Sequence, residues 1–301
     1  MLSFRASTPQ ESALTSLLHL TDFHFWTLLR NPVRMLNKRA LGNANLYARR
    51  RHHFPMRSAE TFLEYIESTG IRTLFLGGDF TTTALDEEFA MAAGWVRRLA
   101  EDGYTPYAIP GNHDVYTFEA IRAKRFERYL GGWTPPGGLP SKVTLPGGAP
   151  MIFAPTVCPN FLSSRGRISA AEIAQVCDLV SGCEQDSVLV GAHYPVLEHG
   201  PGFKTAWSRR LEGADAFRRA LGATGKRILY CCGHAHKFGY LQDPHHENLT
   251  HLCTGAFFLH RTGAAERGTF SEIHVKEKAV EVYLHRCTDQ WTRERVEPRA
   301  F

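Results

Sequence analysis

Short apolar runs, each followed at once by polar residues, mark the strands of this sequence. Five of these runs are brief and rich in β-branched or aromatic residues, which is typical of buried strands. They read LTSLLHL before Asp22, TLFL before Gly77, TPYAIP before Gly111, SVLVGA before His193 and RILYCC before Gly233. The pattern predicts five strands, each of which ends at a loop that carries polar side chains.

Amphipathic segments between these runs predict helices. They cover residues 58–69, 84–101, 118–129, 170–180 and 214–221. Ser169 and Glu172 have the spacing of a capping box, and Ile173 and Val176 then share one face of the helix that follows. From about residue 249 the runs LTHLCTGAFFL, TFSEIHV and AVEVYLHR alternate or are rich in β-forming residues, which indicates antiparallel strands.

This order of elements predicts an α/β fold in four layers, with two packed β-sheets flanked by helices. We expect a single domain over residues 1–301, interrupted by an insertion at residues 25–57. Hydrophobic residues make up 43% of the 301 residues and charged residues 22%, which are ordinary values for a folded globular chain and argue against a disordered one.

The sequence also gives an expectation for the compartment. No run of about 18 apolar residues occurs, and the first residues lack the charged start and apolar stretch of a signal peptide. The seven cysteines form no C-x-x-C pair, and several lie within apolar runs, so we expect reduced and buried thiols. These features predict a cytoplasmic protein.

The residues that directly follow the five predicted strands are carboxylates, imidazoles and one amide. In open α/β sheets ligands bind beyond the carboxyl ends of the strands, so these are the side chains that would meet a ligand. The motifs are Asp22-Phe23-His24, Gly77-Gly78-Asp79, Gly111-Asn112-His113-Asp114, Gly191-Ala192-His193 and Gly233-His234-Ala235-His236. A single histidine at a strand end is more often structural, but five such motifs in succession favour a metal site.

Spacing within the motifs suggests how the ligands are presented. Asp22 and His24 would point the same way on an extended backbone, and so would His234 and His236. Glycines before these motifs would let the backbone turn and approach a phosphate or metal closely. Asp79, alone on its loop, is the natural bridge between two dications. Oxygen and imidazole ligands without thiolate suit manganese, with iron and zinc as alternatives.

The five motifs, in this order, resemble the calcineurin-like metallophosphoesterase family, whose pattern is D-x-H, G-D, G-N-H-D or E, a lone His and G-H-x-H. The resemblance covers about residues 15–240 and implies a β-sandwich flanked by helices with two divalent metal ions. It implies one ligand set for each ion and Asp79 between them. The first set is Asp22, His24 and His236, and the second is Asn112, His193 and His234.

The same resemblance implies that His113 and Asp114 form the catalytic pair. Two cations about 3.5–4 Å apart lower the pKa of a shared water and align it for attack on phosphorus. His113 would then stabilise the transition state or protonate the leaving oxygen, and Asp114 would fix the tautomer of its imidazole. The expected activity is hydrolysis of phosphoester or pyrophosphate bonds. A non-catalytic scaffold with this fold is disfavoured because every position of the pattern is filled.

Positive charge is concentrated in the predicted insertion at residues 25–57. Between His24 and Ser58 stand eight basic residues and no acidic one, and without these eight the remaining chain has 27 basic residues against 30 acidic ones. Apolar and aromatic residues alternate with the cations, which suits an amphipathic helical element at an anionic membrane surface or a lid over an acyl chain. A packed insertion with a solvated basic side is the alternative. Nucleic-acid binding is disfavoured because the rest of the chain is slightly acidic.

The stretch NKRALGNANLYARRR and the motif GDFTTT are similar to the calcineurin-like UDP-diacylglucosamine pyrophosphatases of lipid A synthesis in chlamydia-type bacteria. This likeness implies hydrolysis of UDP-2,3-diacylglucosamine to lipid X and UMP, a phosphorylated lipid as substrate, and a peripheral place on the cytoplasmic membrane face. The candidate substrate contacts are Lys38, Arg39, Arg49 and Arg50. The alternative activity is that of a cyclic-nucleotide or broad-specificity phosphodiesterase.

Overall fold

The computed structural model describes residues 15–28, 58–160, 163–200, 203–258, 266–277 and 279–300. In these ranges the chain forms two six-stranded sheets and two short two-stranded ribbons. All but four residues of the predicted insertion at 25–57 lie outside the described ranges.

The first sheet combines three parallel strands with three antiparallel ones in the order β16-β15-β14-β1-β2-β3. Its strands are β1 (Thr15–Leu20), β2 (Thr73–Leu76), β3 (Thr105–Ala108), β14 (Gly268–Val275), β15 (Val280–Cys287) and β16 (Trp291–Val296). Strands β1, β2 and β3 run parallel, with Leu20 beside Leu76 and Leu76 beside Ala108. Their carboxyl ends therefore lie side by side at one edge of the sheet.

The second sheet has the order β12-β13-β11-β7-β5-β4. Its strands are β4 (Ser141–Thr144), β5 (Pro150–Phe153), β7 (Ser187–Gly191), β11 (Arg227–Cys232), β12 (Gly239–Gln242) and β13 (Leu249–Cys253). Strands β7 and β11 are parallel neighbours. The ribbons pair β6 (Gly166–Arg167) with β10 (Leu211–Glu212) and β8 (His199–Gly200) with β9 (Phe203–Lys204).

Six α-helices lie in the described ranges. They are α1 (Ser58–Ser68), α2 (Asp86–Glu101), α3 (Phe118–Arg122), α4 (Arg125–Leu130), α5 (Ala170–Ser181) and α6 (Ala214–Ala223). The capping box at the start of α5 is confirmed, because the Ser169 hydroxyl accepts from the Glu172 amide and the Glu172 carboxylate accepts from the Ser169 amide. No helix in these ranges is both long and apolar enough to cross a bilayer.

The apolar runs of the central strands are continuous because both faces of each sheet are buried. Leu17 and Phe75 of the first sheet pack with Leu189 of the second in the core between the sheets. Their strand neighbours point outward, so that Leu18 joins the cluster on the outer side of the first sheet and Val190 the cluster on the outer side of the second. The two-sheet sandwich with outer helices confirms the predicted α/β architecture.

Three local predictions need correction. The helix expected over residues 118–129 is two helices, because Lys124 has a left-handed backbone with φ of 47°. Strand β13 was expected to be antiparallel, but it runs parallel to β11 and antiparallel only to β12. Strands β4, β5, β12 and β16 and the strands of both ribbons were not predicted. The seven cysteines are free thiols, as expected, but only four of them are buried, and Cys158, Cys177 and Cys287 are partly exposed.

Candidate metal centre and catalytic site

The five loops that follow β1, β2, β3, β7 and β11 meet at one edge of the sandwich. Their polar side chains are buried: Asp22, His24 and His193 are 0% exposed, and Asp79 is 1% exposed. Burial of this many ionisable groups in one place requires compensation by hydrogen bonds, charge pairing or metal ions. Their geometry separates them into two clusters that share one carboxylate.

The first cluster consists of Asp22, His24, Asp79 and His236, whose ligand atoms all lie within 4.8 Å of one another. The Nε2 atoms of His24 and His236 are 3.1 Å apart, and His236 Nε2 is 3.2 Å from Asp22 Oδ1. Burial alone would raise the pKa of Asp22, but the surrounding imidazoles, His236 foremost, bring it down to about 2. Asp22 is therefore a carboxylate at neutral pH.

The second cluster contains Asp79, His193 and His234, with ligand atoms again within 4.8 Å of one another. Asn112 belongs to it as well, since its Oδ1 lies 3.1 Å from His193 Nε2 and 2.8 Å from His234 Nδ1. Burial lowers the pKa of His193 and lowers that of His234 strongly. Both imidazoles are therefore neutral and carry the lone pair that a metal ion needs.

Asp79 faces both clusters with different oxygens. Its Oδ2 lies 3.8 Å from His24 Nε2 in the first cluster, and its Oδ1 lies 3.5 Å from His193 Nε2 in the second. A carboxylate in this position can hold two cations at once and offset their mutual repulsion. The bridging position predicted for Asp79 agrees with this geometry.

The donor set fits metal ions because its lone pairs converge. His193 Nδ1 donates to the Gly77 carbonyl at 2.9 Å, and His234 Nε2 donates to the Arg209 carbonyl at 2.9 Å. Each neutral ring has a single hydrogen, so His193 Nε2 and His234 Nδ1 present lone pairs to the Asn112 amide oxygen. Three acceptors that face one another at hydrogen-bond distance repel unless a cation lies between them. Oxygen and nitrogen donors together suit a divalent transition metal.

The backbone of the ligand loops differs from the prediction. Asp22 and His24 were expected on an extended segment, yet their φ angles are 58° and 52°. The pair His234 and His236 has φ angles of 67° and 54°, and Asp79 has 56°. A non-glycine residue in this left-handed region costs about 1–3 kcal/mol, and such strain concentrates at functional sites. The ligands thus converge by repeated left-handed turns.

Glycines admit the close approach of neighbouring loops. A Cβ atom on Gly111 would lie 2.1 Å from the Asp79 amide nitrogen, and one on Gly233 would lie 2.3 Å from Thr21 Oγ1. Gly78 has a φ of 97°, and a Cβ there would lie 2.5 Å from the Gly111 amide nitrogen. These glycines thus allow one ligand-bearing loop to pack against the next, a different role from the expected close approach to a phosphate or metal, which stays a prediction.

His113 lies beside the metal clusters with its ring fixed on several sides. Its backbone amide donates to Asp79 Oδ1 at 2.7 Å, and its ring Nδ1 donates to the Thr82 carbonyl at 2.6 Å. The ring stacks on Tyr116 with 5.4 Å between centroids and meets His24 edge to face at 4.9 Å. Because Nδ1 donates to the Thr82 carbonyl, Nε2 is the ring atom through which His113 could exchange a proton with a substrate.

Asp114 contacts backbone donors rather than holding Nδ1 of His113. Its carboxylate accepts from the amides of Gly111, Phe80 and Thr81 and from the Thr81 hydroxyl at 2.8–3.2 Å. Burial raises the pKa of Asp114 to about 6, and these donors limit the rise. The prediction that Asp114 fixes the tautomer of His113 is therefore wrong. The Thr82 carbonyl accepts the hydrogen of His113 Nδ1 instead. Asp114 ties the G-N-H-D loop to the loop after β2.

The sequence analysis missed the groups that orient the ligands. The carbonyls of Gly77, Thr82 and Arg209 fix the tautomers of His193, His113 and His234. Fixing the far ring nitrogen in this way raises the basicity of a ligating imidazole and holds its plane. A backbone carbonyl carries no residue signature, so nothing in the sequence identifies these three positions.

The four candidate substrate contacts, Lys38, Arg39, Arg49 and Arg50, lie outside the described residues. The described chain that precedes them in sequence is fixed after the ligand pair: the amide of Phe25 donates to the Phe80 carbonyl at 2.7 Å, and Phe25 forms a β-bridge with Thr81. The last described residue before the gap, Leu28, is 38% exposed.

Taken together, the arrangement can bind and cleave a phosphoester. Two bound dications would supply an acidified water and offset charge on the phosphate oxygens. The seven predicted ligands are brought together in the two clusters and would hold the ions. His113 is placed beside the cluster, where Nε2 of its imidazolium form could donate a hydrogen bond to the phosphoryl group or a proton to the leaving oxygen, while Nδ1 stays bonded to the Thr82 carbonyl.

Comparison with known proteins agrees with this geometry. A family model described as calcineurin-like phosphoesterase matches residues 15–238. A dimetal phosphatase from Danio rerio aligns over 94% of this chain and 99% of its own, with 11% identity and a TM-score of 0.58. The purple acid phosphatase PPD1 from seeds of yellow lupin (Lupinus luteus) aligns over 97% of this chain and 55% of its own, with 9% identity and a TM-score of 0.56. No curated protein matches the sequence.

Proposed function

Because this chain belongs to the calcineurin-like phosphoesterase family, whose members hydrolyse phosphoester bonds, we propose a specific substrate for it: the pyrophosphate of UDP-2,3-diacylglucosamine, cleaved to lipid X and UMP. The observation that carries this proposal is the basic and apolar segment that follows the ligand pair Asp22 and His24 directly. Arginines suit a pyrophosphate, and the apolar residues between them suit acyl chains.

The position of this segment supports the proposal. Phe25 is 5% exposed and packs in the core on the outer side of the first sheet, so the chain leaves the metal centre from a fixed point. Only a few residues separate this point from the first arginine of the segment, Arg30. This closeness in sequence to the ligand pair supports a role for the cations in holding a lipid substrate whose phosphates would lie on the metal ions. Lys38, Arg39, Arg49 and Arg50 are the proposed contacts.

Arg209 is a further proposed phosphate contact. Its carbonyl holds the His234 ring, and its side chain is exposed and makes no ion pair with the described residues. The neighbouring Arg210 is committed to Glu198 at 2.7 Å. Of the two arginines, Arg209 is therefore the one whose charge is available to an anionic substrate.

We propose manganese as the native metal pair, since the donor set consists of imidazole, carboxylate and amide groups without thiolate. Iron and zinc are the alternatives that the same donors accept. We also propose a cytoplasmic location with peripheral contact between the basic segment and an anionic membrane face, because a cluster of cations near apolar residues gains attraction from acidic lipids.

The substrate is tested by incubating the manganese-loaded protein with UDP-2,3-diacylglucosamine and, separately, with cyclic AMP. Release of UMP and lipid X from the first alone supports the proposal. Turnover of cyclic AMP alone rejects it in favour of a cyclic-nucleotide phosphodiesterase, and turnover of both indicates a broad-specificity enzyme. The His113→Ala variant serves as the control for contaminating hydrolases, since it should lose the activity and keep its metal.

Membrane contact is tested with liposomes that contain phosphatidylglycerol. The wild type should co-sediment with them, and a variant with Arg49, Arg50 and Arg51 each changed to Glu should not. Liposomes of phosphatidylcholine alone are the control, because they lack the anionic surface. Equal sedimentation of both proteins with the anionic liposomes would reject the membrane contact and leave the pyrophosphatase proposal standing.

A further inference from the structure

One large aromatic side chain beside the metal centre is exposed to solvent. Trp207 is 66% exposed, whereas the other exposed large hydrophobic residues of the described ranges, Leu28 and Ile121, are 38% and 37% exposed. An indole combines a large apolar face with a polar N–H, which suits it to contact with a ligand. None of the seven metal ligands and neither catalytic residue requires it.

The backbone under Trp207 is tied to the metal centre. Trp207 opens a 3₁₀-helix, Trp207–Arg209, whose last carbonyl accepts from His234 Nε2 at 2.9 Å. The carbonyl of Ser208 accepts from the Ser164 amide at 2.9 Å, which ties the same turn to the loop before β6. Trp207 thus lies within one helical turn of the residue that orients a metal ligand. The turn that carries Trp207 is therefore fixed to the metal centre through its last carbonyl.

One face of the indole is already occupied by a cation. The guanidinium of Arg165 lies over the Trp207 ring, 4.7 Å from its centroid, and is 3.9 Å from the Glu212 carboxylate. The Arg165 backbone is fixed as well, since its carbonyl accepts from Asn160 Nδ2 at 2.6 Å. This contact holds the ring in one orientation, so that binding on its exposed part costs little conformational entropy.

These features point to a planar ligand. An acyl chain gains most from a broad apolar groove, but the side chain that covers this indole is the guanidinium of Arg165, and Arg209 and Arg210 follow two and three residues along the chain. A nucleobase gains from stacking on the ring, and the phosphate attached to its ribose gains from the neighbouring cations. Stacking on an aromatic side chain is tolerant of base identity because every base has a π-face.

We propose that Trp207, held by Arg165, is the platform on which the nucleobase of the substrate stacks, while its phosphate lies on the metal centre. This inference rests on the proposed function, in which the substrate carries uridine. It assigns the nucleotide part of the substrate to the side of Trp207. Trp207 is accordingly a specificity residue and takes no part in proton transfer.

The test compares two ligands that differ only by the base. Calorimetric titration of the manganese-loaded wild type with UMP and with ribose 5-phosphate should give a UMP affinity about tenfold higher, the size of one stacking contact. Trp207→Ala and Trp207→Leu should abolish the preference and leave the ribose 5-phosphate affinity unchanged. Trp207→Phe should retain most of the preference, because it keeps a ring in place.

A preference for UMP that persists in Trp207→Ala, or its absence from the wild type, would overturn the platform. So would a variant that loses affinity for lipid X but not for UMP, since that result would place acyl chains on the indole. Failure of the proposed function looks different: UDP-2,3-diacylglucosamine would not be cleaved, although the preference for UMP still depended on Trp207. In that case the platform would serve another nucleotide substrate.

Discussion

At the scale of single residues, the geometry separates the side chains that converge in the two clusters from His113, which lies beside them. His113 is only 9% exposed and lies next to His24, yet its Nδ1 is engaged by the Thr82 carbonyl. The seven ligand residues, by contrast, direct their nitrogen or oxygen atoms into the two clusters. Replacing the His113 ring should therefore leave the ligand atoms where they are.

We expect His113→Ala to lower kcat by about 10²- to 10⁴-fold, the usual contribution of a general acid, with no change in metal content. The backbone amide of His113, which donates to Asp79 Oδ1, is retained in the variant. Steady-state kinetics on the best substrate and metal analysis of the same preparation check this. Parallel losses of metal and activity would mean that His113 is needed to assemble the centre.

At the scale of elements, the approach of one loop to the next depends on positions without a side chain. Gly111 follows β3 and touches the Asp79 loop after β2, whereas Gly94 in the middle of α2 has open space around its Cβ position. The same substitution at the two positions therefore has opposite consequences, since only one of them forces two backbones apart.

We expect Gly111→Ala to destabilise the protein by about 1–3 kcal/mol and to reduce its metal content, because the new methyl group overlaps the Asp79 backbone. Gly94→Ala should instead stabilise it by about 0.5–1 kcal/mol, the gain from replacing glycine within a helix. Denaturant unfolding and metal analysis of both variants measure these effects. If Gly111→Ala changed neither the free energy of unfolding nor the metal content, the two loops would not be in close contact.

A buried charge network ties the antiparallel strands of the first sheet together. Glu272 on β14 is 3% exposed and contacts His274, His285 on β15 and Arg293 on β16. Burial would raise the pKa of Glu272, but the bonds from Arg293 and the two histidines outweigh it and hold the pKa far below its ordinary value of 4.5. The stabilisation is thus present above pH 4.5 and is lost as the pH falls below it.

Glu272→Gln should therefore lower the free energy of unfolding by about 1.5–3 kcal/mol at pH 7, which is the value of hydrogen bonds to a charged group. The loss should become smaller as the pH falls below about 4.5. The control is Glu281→Gln on β15, where the partners Lys276 and Arg295 are 46% and 55% exposed and the ion pairs are screened by solvent. Chemical unfolding at several pH values gives the comparison. A pH-independent cost at Glu272 would contradict the assigned charge.

At the scale of the whole molecule, the sequence predicted those features that depend on the type of residue at each position. The central strands were predictable because both faces are buried, and the seven ligands because each follows a strand. Strand β16 was missed because its sequence, WTRERV, is charged and largely exposed and shows no apolar alternation. The left-handed backbone at Asp22 and His24 could not be predicted from the sequence. Aspartate and histidine are needed there as ligands, and neither residue type indicates a positive φ angle by itself.

The metal centre also joins the two sheets. Asp22 and Asp79 follow strands of the first sheet, and His193 and His234 follow strands of the second, so each cluster contains ligands from both. Lone pairs that repel in the absence of cations become metal bonds in their presence, and ions that bind only the folded chain stabilise it by mass action. The thermal stability of the whole sandwich should therefore depend on metal.

Manganese at one hundred times its dissociation constant should stabilise the chelator-treated protein by about 2.7 kcal/mol per site, which is a rise in Tm of about 5 °C. Asp79→Asn should lose more than half of that rise, because this carboxylate faces both clusters. Asp243→Asn is the matched control: Asp243 is equally buried and accepts from His251, but it lies outside the clusters, so its variant should unfold earlier and keep the full metal-induced rise. Scanning calorimetry with and without manganese measures all three proteins. An unchanged Tm in the wild type would show that the two sheets are held together without the ions. A full metal-induced rise in Tm in Asp79→Asn would show that Asp79 does not bridge the two clusters.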